Sequence, residues 1–151
     1  MRTKIIADLT SNHLGDLEVL ESMIHCLAEC NVDLVKTQSW QANNLRHDFP
    51  DYRNAYEYYK KQELSDEAHF RIKELCAESG LEMLTTCFDL DRVDFLATLG
   101  LNAIKVASSD STSYNMIGKL LKHFETVIIS TGGTSNTELD KTIEYCGSHI
   151  N

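Results

Sequence analysis

Short apolar segments alternate with amphipathic helical segments along the chain, and this alternation limits the possible folds more than any other feature of the sequence. Apolar runs predict five strands, at residues 5–9, 32–38, 81–86, 103–107 and 126–131. Each run is followed by apolar residues at helical spacing. Strands that alternate with helices are typical of a parallel sheet covered by helices. We therefore predict an α/β fold built from βα units.

The helical segments have clear beginnings and ends. Asp16, Ser65 and Asp89 are placed to begin helices, because short polar side chains accept hydrogen bonds from the free backbone N–H groups of a first turn. Gly80 and Gly100 are placed to end two helices, because glycine readily adopts the left-handed conformation that follows a last turn.

A long segment separates the second strand from its helix. Residues 39–64 are rich in tyrosine and contain the only proline and the only tryptophan, Trp40. We predict an ordered excursion with a short helix near residues 53–62. Trp40 is interpreted as a packing residue rather than a stacking platform for a ligand. The tyrosines are more typical of a covering helix than of a nucleic-acid platform.

The length of 151 residues distinguishes a complete barrel from a partial one. A (β/α)₈ barrel needs roughly 250 residues, or about 31 per βα unit, so this chain has room for about five units. No linker or low-complexity segment divides it, and one domain over residues 1–151 is the simplest interpretation. Periodicity alone does not separate an open doubly wound sheet from part of a closed barrel. However, no Gly-x-Gly-x-x-Gly motif follows the first strand, which disfavours dinucleotide binding.

Charge and composition exclude several classes of function. The formal net charge is −9, from 23 acidic and 14 basic residues, which disfavours a general nucleic-acid or anionic-membrane surface. The apolar runs are far too short to span a bilayer. Since no basic and then apolar leader opens the chain, we expect a cytoplasmic protein.

The five cysteines are an odd number, which without a leader indicates reduced thiols. Cys26 and Cys30 lie one helical turn apart and close to His25, so they could form half of a metal site. No matching second pair exists, and we favour packing of both thiols in the core, because free cysteine is among the most buried residue types. His69 is interpreted as a surface or rim histidine, whereas His13 lies in the first βα loop, where functional residues concentrate.

Polar side chains interrupt the ends of all five predicted strands. Parallel α/β folds bind ligands at the carboxyl ends of their strands, so these side chains form the candidate site. In chain order they are Asp8, Lys36, Gln38, Thr86, Lys105, Ser108, Asp110 and Ser130.

Two of these candidates are lysines inside apolar strands, where an unpaired ammonium is very costly. Lys36 and Lys105 could each pair with a structural carboxylate, such as Asp8 or Asp110. Alternatively, both could face an anionic ligand, with strand-end hydroxyls completing a phosphate or carboxylate cradle, and we favour this interpretation. Schiff-base chemistry by either lysine is a third possibility.

Six short motifs occur in a fixed order. They are IADLTSNHLGD at residues 6–16, VKTQ at 35–38, YYKKQELS at 58–65, LTTCFD at 84–89, IKVASSD at 104–110 and ISTG at 129–132. Each motif alone is weak, but the ordered set is specific and covers essentially the whole chain. The set resembles the sialic acid synthase family, which comprises N-acetylneuraminate synthases and their relatives.

The resemblance implies part of a TIM barrel and a carbon–carbon bond-forming enzyme. Such enzymes condense phosphoenolpyruvate with an N-acylated amino sugar, such as N-acetylmannosamine, and release phosphate. The resemblance also implies a divalent metal, Mn²⁺ or Mg²⁺, and a homodimer. The family's metal ligands and its C-terminal antifreeze-like domain lie beyond residue 151, so we assign no metal ligand. We expect residues 1–151 alone to be an inactive N-terminal portion.

The resemblance also implies roles for the candidate residues in binding phosphoenolpyruvate. Lys36 and Lys105 would hold its carboxylate and phosphate. Hydrogen bonds to the same anion would come from the hydroxyls of Thr86, Ser108 and Ser130.

Three further candidates would serve the sugar and proton transfer. Gln38 would contact the sugar. Asp8 stands where the family usually has a glutamate suggested for proton transfer, and Asp110 stands at a usual glutamate position near the sugar. Cys87 replaces a usual proline, and Gly133 stands where methionine is common. These departures indicate a divergent subfamily whose product could be legionaminic or pseudaminic acid.

Two alternatives remain open from the sequence. A stand-alone half-barrel could bind an anion or a partner without catalysis. Another aldolase-like barrel that uses phosphoenolpyruvate would show a similar pattern of strand-end residues.

Overall fold

The computed structural model describes residues 2–149, which form two compact units. The first unit extends to Leu84 and the second begins at Thr85. The boundary falls within the third strand, so this strand belongs to both units.

The described residues form five strands and six α-helices, together with two short 3₁₀ helices. The strands are β1 (Ile6–Asp8), β2 (Leu34–Ser39), β3 (Glu82–Cys87), β4 (Ala103–Val106) and β5 (Thr126–Ile129). The α-helices are α1 (Leu17–Ala28), α2 (Tyr52–Gln62), α3 (Asp66–Glu78), α4 (Arg92–Thr98), α5 (Tyr114–His123) and α6 (Asn136–Gly147). The 3₁₀ helices are Ala42–Asn44 and Ser108–Asp110.

The strands form one sheet in the order β1-β2-β3-β4-β5. In the first unit β1 pairs with β2 in parallel, and Asp8 lies opposite Lys36. In the second unit β3 pairs with β4 in parallel, and Thr86 lies opposite Lys105, while β4 pairs with β5 in parallel. The sheet therefore follows chain order, which confirms the predicted α/β fold.

The first unit has its core between the sheet and the inner faces of α1 and α3. Leu20 and Ile24 of α1 are buried, as are Ile72 and Cys76 of α3. The side chain of Asp16 accepts hydrogen bonds from the first-turn N–H groups of α1, and Ser65 caps α3 in the same way. The predicted beginnings of both helices are thus confirmed.

The second unit has its own apolar core, formed by β3, β4 and the helices that follow them. Its buried members are Cys87, Val93, Leu96, Leu99, Ile104, Val106, Met116, Ile117, Leu120 and Phe124. Helices α5 and α6 contact closely at Gly118, where a Cβ atom would lie 2.3 Å from the Tyr145 hydroxyl. Thr142 of α6 donates a hydrogen bond to the Ser111 carbonyl at 2.9 Å.

One helix begins later than the sequence predicts. Helix α4 starts at Arg92, with Asp91 preceding it, and not at Asp89. The Arg92 N–H donates to the Asp89 carbonyl at 3.0 Å, so residues 89–91 form a turn ahead of the helix. Within residues 2–149, no helix is long and apolar enough to cross a membrane.

Candidate functional site

The first candidate pair lies at the carboxyl end of β1 and β2. Lys36 Nζ lies 2.8 Å from Asp8 Oδ1. The lysine side chain is only 5% exposed, whereas the aspartate side chain is 46% exposed. The parallel register puts the two residues opposite each other, so their contact follows directly from strand pairing.

This pair joins a buried cation to a carboxylate that solvent can reach. The structure thus supports pairing of Lys36 with a carboxylate, one of the alternatives left open by the sequence. Asp8 also accepts a hydrogen bond from the Thr10 N–H at 3.1 Å, which fixes the carboxylate at the start of the loop. A partly exposed carboxylate beside an ammonium can exchange protons with a bound molecule.

The loop after β1 is held by His13, which is almost completely buried. The Gly15 N–H donates to His13 Nδ1 at 3.0 Å, so in the neutral ring the proton is on Nε2. Burial lowers the pKa of His13 below its ordinary value. Gly15 has a φ of +84°, and a Cβ atom there would lie 2.0 Å from the Lys61 carbonyl oxygen. The loop therefore packs directly against the end of α2.

The excursion after β2 is an ordered aromatic layer. Trp40 Nε1 donates to the Tyr59 carbonyl at 3.3 Å, and the two rings meet edge to face at 5.8 Å. Phe49 contacts Tyr59 in the same geometry at 6.5 Å. The Ala42 N–H donates to Glu63 at 2.9 Å, which joins the start of the excursion to its end. These contacts were not predicted from the sequence. The many aromatic residues of this segment were the feature that could have indicated them.

In the second unit, the candidate residues lie on β3, β4 and the loops that follow β4 and β5. Thr86 is buried and lies opposite Lys105 in the parallel register. A Cβ atom at Gly132 would lie 3.8 Å from the Ser108 side chain, so the loops after β4 and β5 contact each other. The Ser130 N–H donates to the Val106 carbonyl at 3.1 Å. The fold thus brings Ser108 next to the loop that carries Ser130.

Asp110 is held by hydroxyl groups at the carboxyl end of β4. Its carboxylate accepts hydrogen bonds from Ser109 Oγ at 2.8 Å and Ser113 Oγ at 3.3 Å. It lines an open cleft of about 450 Å³ together with Phe88 and the first turn of α5. Two hydroxyl donors orient the carboxylate, and its remaining lone pairs can accept from a ligand.

Cys87 is a core residue and not a nucleophile. The side chain is buried, and its thiol contacts the Asp89 carbonyl at 3.3 Å. Burial raises the pKa of Cys87 to about 12, so the thiol stays protonated near neutral pH. The thiolate is the reactive form of cysteine, and this position is therefore structural.

Two predictions about single side chains are wrong. Cys26 and Cys30 are exposed rather than packed in the core. Helix α1 buries the face of Leu20 and Ile24, and Cys26, two positions beyond Ile24, lies on the opposite face. His69 is fully buried and not at the surface, with Nδ1 at 2.8 Å from the Ser65 carbonyl.

No metal centre can be built from the part of the chain that the structure describes. Residues 2–149 contain no group of three or more histidine, cysteine, aspartate or glutamate side chains placed to hold a metal ion. The donors of the described residues therefore do not fit the metal that the resemblance implies.

The sheet order and the polar strand ends define the class of protein: an α/β chain that forms the first five βα units of a TIM barrel. The chain belongs to the NeuB family, whose model matches residues 23–151. The resemblance to sialic acid synthases is thereby confirmed.

Two curated relatives carry synthase names. The chain is 32% identical over 139 residues to the N,N'-diacetyllegionaminic acid synthase of Legionella pneumophila, covering 85% of this chain and 39% of that protein. It is 28% identical over 154 aligned residues to the pseudaminic acid synthase of Helicobacter pylori, covering 95% of this chain and 45% of that protein. The chain thus spans less than half the length of these relatives.

A solved structure shows the same fold. The N-acetylneuraminic acid synthetase of Leptospira borgpetersenii serovar Hardjo-bovis matches with a TM-score of 0.90 and 23% identity. The match covers 99% of this chain and 51% of that one. This likeness confirms the predicted partial barrel.

Proposed function

We propose that this chain is the N-terminal part of an enzyme that condenses phosphoenolpyruvate with an N-acylated amino sugar. The product would be a nine-carbon nonulosonic acid, and inorganic phosphate would leave. The observation that carries the proposal is the buried Lys36 ammonium at a strand end, in a chain of the NeuB family. Relatives named as legionaminic and pseudaminic acid synthases support this substrate class.

Lys36 would hold one negative group of phosphoenolpyruvate. Its ammonium is desolvated, and a cation in a site that excludes water attracts an anion more strongly than one in bulk water. Asp8 holds this ammonium in place at 2.8 Å before substrate arrives. The pair would then serve both binding and proton transfer, with Asp8 as the exposed partner.

Residues of the second unit would bind the same kind of anionic group. Lys105 would supply a cation from β4, and hydroxyl donors would come from Thr86, Ser108 and Ser130. Asp110 would accept hydrogen bonds from the sugar, since Ser109 and Ser113 already hold its carboxylate in place. On β2, Gln38 would contact the sugar as well.

The complete enzyme would have further requirements. We propose that it is a cytoplasmic homodimer that uses Mn²⁺ or Mg²⁺ with ligands outside this chain, and that it binds neither nucleic acid nor membrane. Because the chain spans less than half the length of these relatives, residues 1–151 alone would not catalyse the condensation.

The test is to express the chain with its natural downstream sequence and measure phosphate release from phosphoenolpyruvate and N-acetylmannosamine with Mn²⁺. We expect turnover, and we expect Lys36→Met and Lys105→Met to lower it by about a thousandfold, the loss typical of a removed charge-stabilising group. Lys141→Met is the matched control, because Lys141 is exposed on α6. Thermal melts would show that each variant is folded.

The outcomes separate the alternatives. Near-normal turnover in Lys36→Met would mean that Lys36 serves only to pair with Asp8. No phosphate release under any condition would favour a non-catalytic protein that binds an anion or a partner. Release with another aldehyde acceptor, such as a sugar phosphate, would favour a different phosphoenolpyruvate-using barrel.

A further inference from the structure

We propose that the cleft beside Asp110 binds an acylamino group of the acceptor sugar, and that Leu90 sets the length of the acyl chain that fits. The cleft has a volume of about 450 Å³, and all of its lining residues belong to the second unit. This inference rests on the proposed function and goes beyond it, because it names the part of the sugar that the cleft recognises and a residue that selects among acceptors.

The cleft lies at the carboxyl ends of β3 and β4. Leu90 belongs to the turn that follows β3, and Asp110 ends the 3₁₀ helix that follows β4. The first turn of α5 contributes Asn115 and Met116 to the lining. Parallel α/β folds bind ligands at this end of the sheet, and clefts that hold small molecules typically measure about 300–1,000 Å³. The position and the volume of the cleft therefore suit part of a small substrate.

Asp110 supplies an oriented hydrogen-bond acceptor to the cleft. Its two carboxylate oxygens each accept a hydrogen bond, one from Ser109 Oγ at 2.8 Å and the other from Ser113 Oγ at 3.3 Å. A carboxylate has about four lone-pair sites, so further sites remain for a ligand. The cleft thus favours a group that donates an N–H or O–H bond, whereas the like charge of Asp110 repels phosphoenolpyruvate.

Leu90 supplies exposed apolar surface to the same cleft. Its side chain is 43% exposed, whereas Met116, which also lines the cleft, is only 4% exposed. Met116 is therefore committed to the core of the second unit, and Leu90 keeps surface that a ligand can cover. Removing such apolar surface from water stabilises a complex.

An acylamino group matches the chemistry of this lining. Its amide N–H can donate to Asp110, and its carbonyl oxygen can accept from the side-chain amide of Asn115, an exposed residue of the lining. Its alkyl end can pack on Leu90. The hydroxyl groups of a sugar offer donors but no apolar end. The combination of an oriented carboxylate and an exposed leucine in one cleft therefore favours the acylamino group.

The experiment uses the chain expressed with its natural downstream sequence. Calorimetry measures the Kd of N-acetylmannosamine and of N-butanoylmannosamine, whose acyl chain is longer, for the unaltered protein, Leu90→Ala and Leu90→Phe. The alanine makes room for a longer acyl chain, and the phenylalanine takes room away. Ile143→Ala is the matched control, because Ile143 is 61% exposed on α6 of the same unit and does not line the cleft.

We expect the unaltered protein to prefer N-acetylmannosamine. Leu90→Ala should shift the ratio of the two Kd values by about tenfold toward N-butanoylmannosamine, the discrimination typical of one methylene group in an apolar pocket. Leu90→Phe should shift the ratio in the opposite direction, and Ile143→Ala should leave it unchanged. An unchanged ratio in both Leu90 variants, or no binding of either sugar, would overturn the inference.

Phosphate release from phosphoenolpyruvate tests the proposed function separately. A shifted ratio of Kd values without phosphate release would support the acylamino cleft and overturn the proposed function alone. Phosphate release together with an unchanged ratio would overturn the role of the cleft and leave the proposed function standing.

Discussion

Lys36 and Asp8 form a pair in which the two partners are not equivalent. The ammonium is buried and the carboxylate is half exposed. Removing Asp8 would take away the carboxylate that lies 2.8 Å from this buried ammonium, whereas removing Lys36 would leave a carboxylate that water can solvate.

At the residue scale, His13 makes stability depend on pH. Burial lowers its pKa in the folded chain, whereas the unfolded chain keeps the ordinary value of about 6.5. The unfolded state therefore binds more protons between the two values, and stability falls as pH drops through about 6.5. The free energy of unfolding falls by about 1.4 kcal/mol for each unit by which folding lowers the pKa of His13.

His13→Asn should remove this part of the pH dependence. An asparagine carbonyl can accept the Gly15 N–H in place of Nδ1 but does not titrate. Urea unfolding of both proteins at about pH 7.5 and about pH 5.5 measures the difference in free energy of unfolding. If both proteins lost equal stability on acidification, His13 would not be the cause.

Strand pairing decides the partner of Lys36, since Asp8 lies opposite it in the register of β1 and β2. This contact was one of the alternatives from the sequence, although an anionic ligand was the favoured partner. Cys26 and His69 were predicted wrongly, because average burial of a residue type ignores which helical face it occupies. His69 lies on the same helical stripe as Ile72 and Cys76 of α3, and that spacing was the signal for its burial.

At the element scale, the loop after β1 and the end of α2 require glycine at position 15. Gly15 and Gly80 both have positive φ, but only Gly15 meets backbone within 4 Å. We expect Gly80→Ala to lower the free energy of unfolding by about 1 kcal/mol through its conformation alone. We expect Gly15→Ala to cost about 3 kcal/mol or more, since the loop must also move away from the Lys61 carbonyl.

Urea denaturation of the two alanine variants measures both losses. Gly80→Ala is the control for the backbone conformation, so the difference between the variants reports the packing of the loop on α2. Equal losses would mean that the loop and α2 separate without cost.

Helix beginnings could be predicted wherever a side chain caps the first turn. Asp16 and Ser65 have such hydrogen bonds, and Ser135 forms a capping box with Glu138. Asp89 has the same side chain as Asp16, but its backbone carbonyl closes a separate turn ahead of α4. Residue type alone does not distinguish these two uses of aspartate.

At the scale of the whole molecule, β1 ends the sheet, and the side chains of Ile6 and Asp8 on it are exposed. Ile6 is 42% exposed. A sheet edge with apolar side chains pairs readily with another chain, so we expect the 151-residue chain to self-associate. Sedimentation velocity should give a mass above that of one chain.

Ile6→Lys should shift this association toward the monomer, because a charge beside the edge opposes strand pairing. Ile143→Lys is the matched control, since Ile143 is 61% exposed on α6, a helix of the second unit. A clean monomer for the unaltered chain, or an equal effect of both variants, would contradict an edge-driven association.

The partial barrel could be predicted from length and strand count, since each βα unit needs a fixed stretch of chain. The strand-end candidates were selected because parallel strands end at one edge of a sheet, and their role in binding stays a prediction. The anchoring of the excursion could not, since the contacts of Trp40 with Tyr59 and of Ala42 with Glu63 join positions with no periodic relation.

The close contact between Gly118 and Tyr145 has a consequence for how the sequence can diverge. The tyrosine hydroxyl occupies the space that any other side chain at position 118 would need. A larger residue at 118 is then compatible with this packing only when Tyr145 moves or a smaller residue replaces it. Position 118 is therefore expected to depart from glycine during evolution together with a change at position 145.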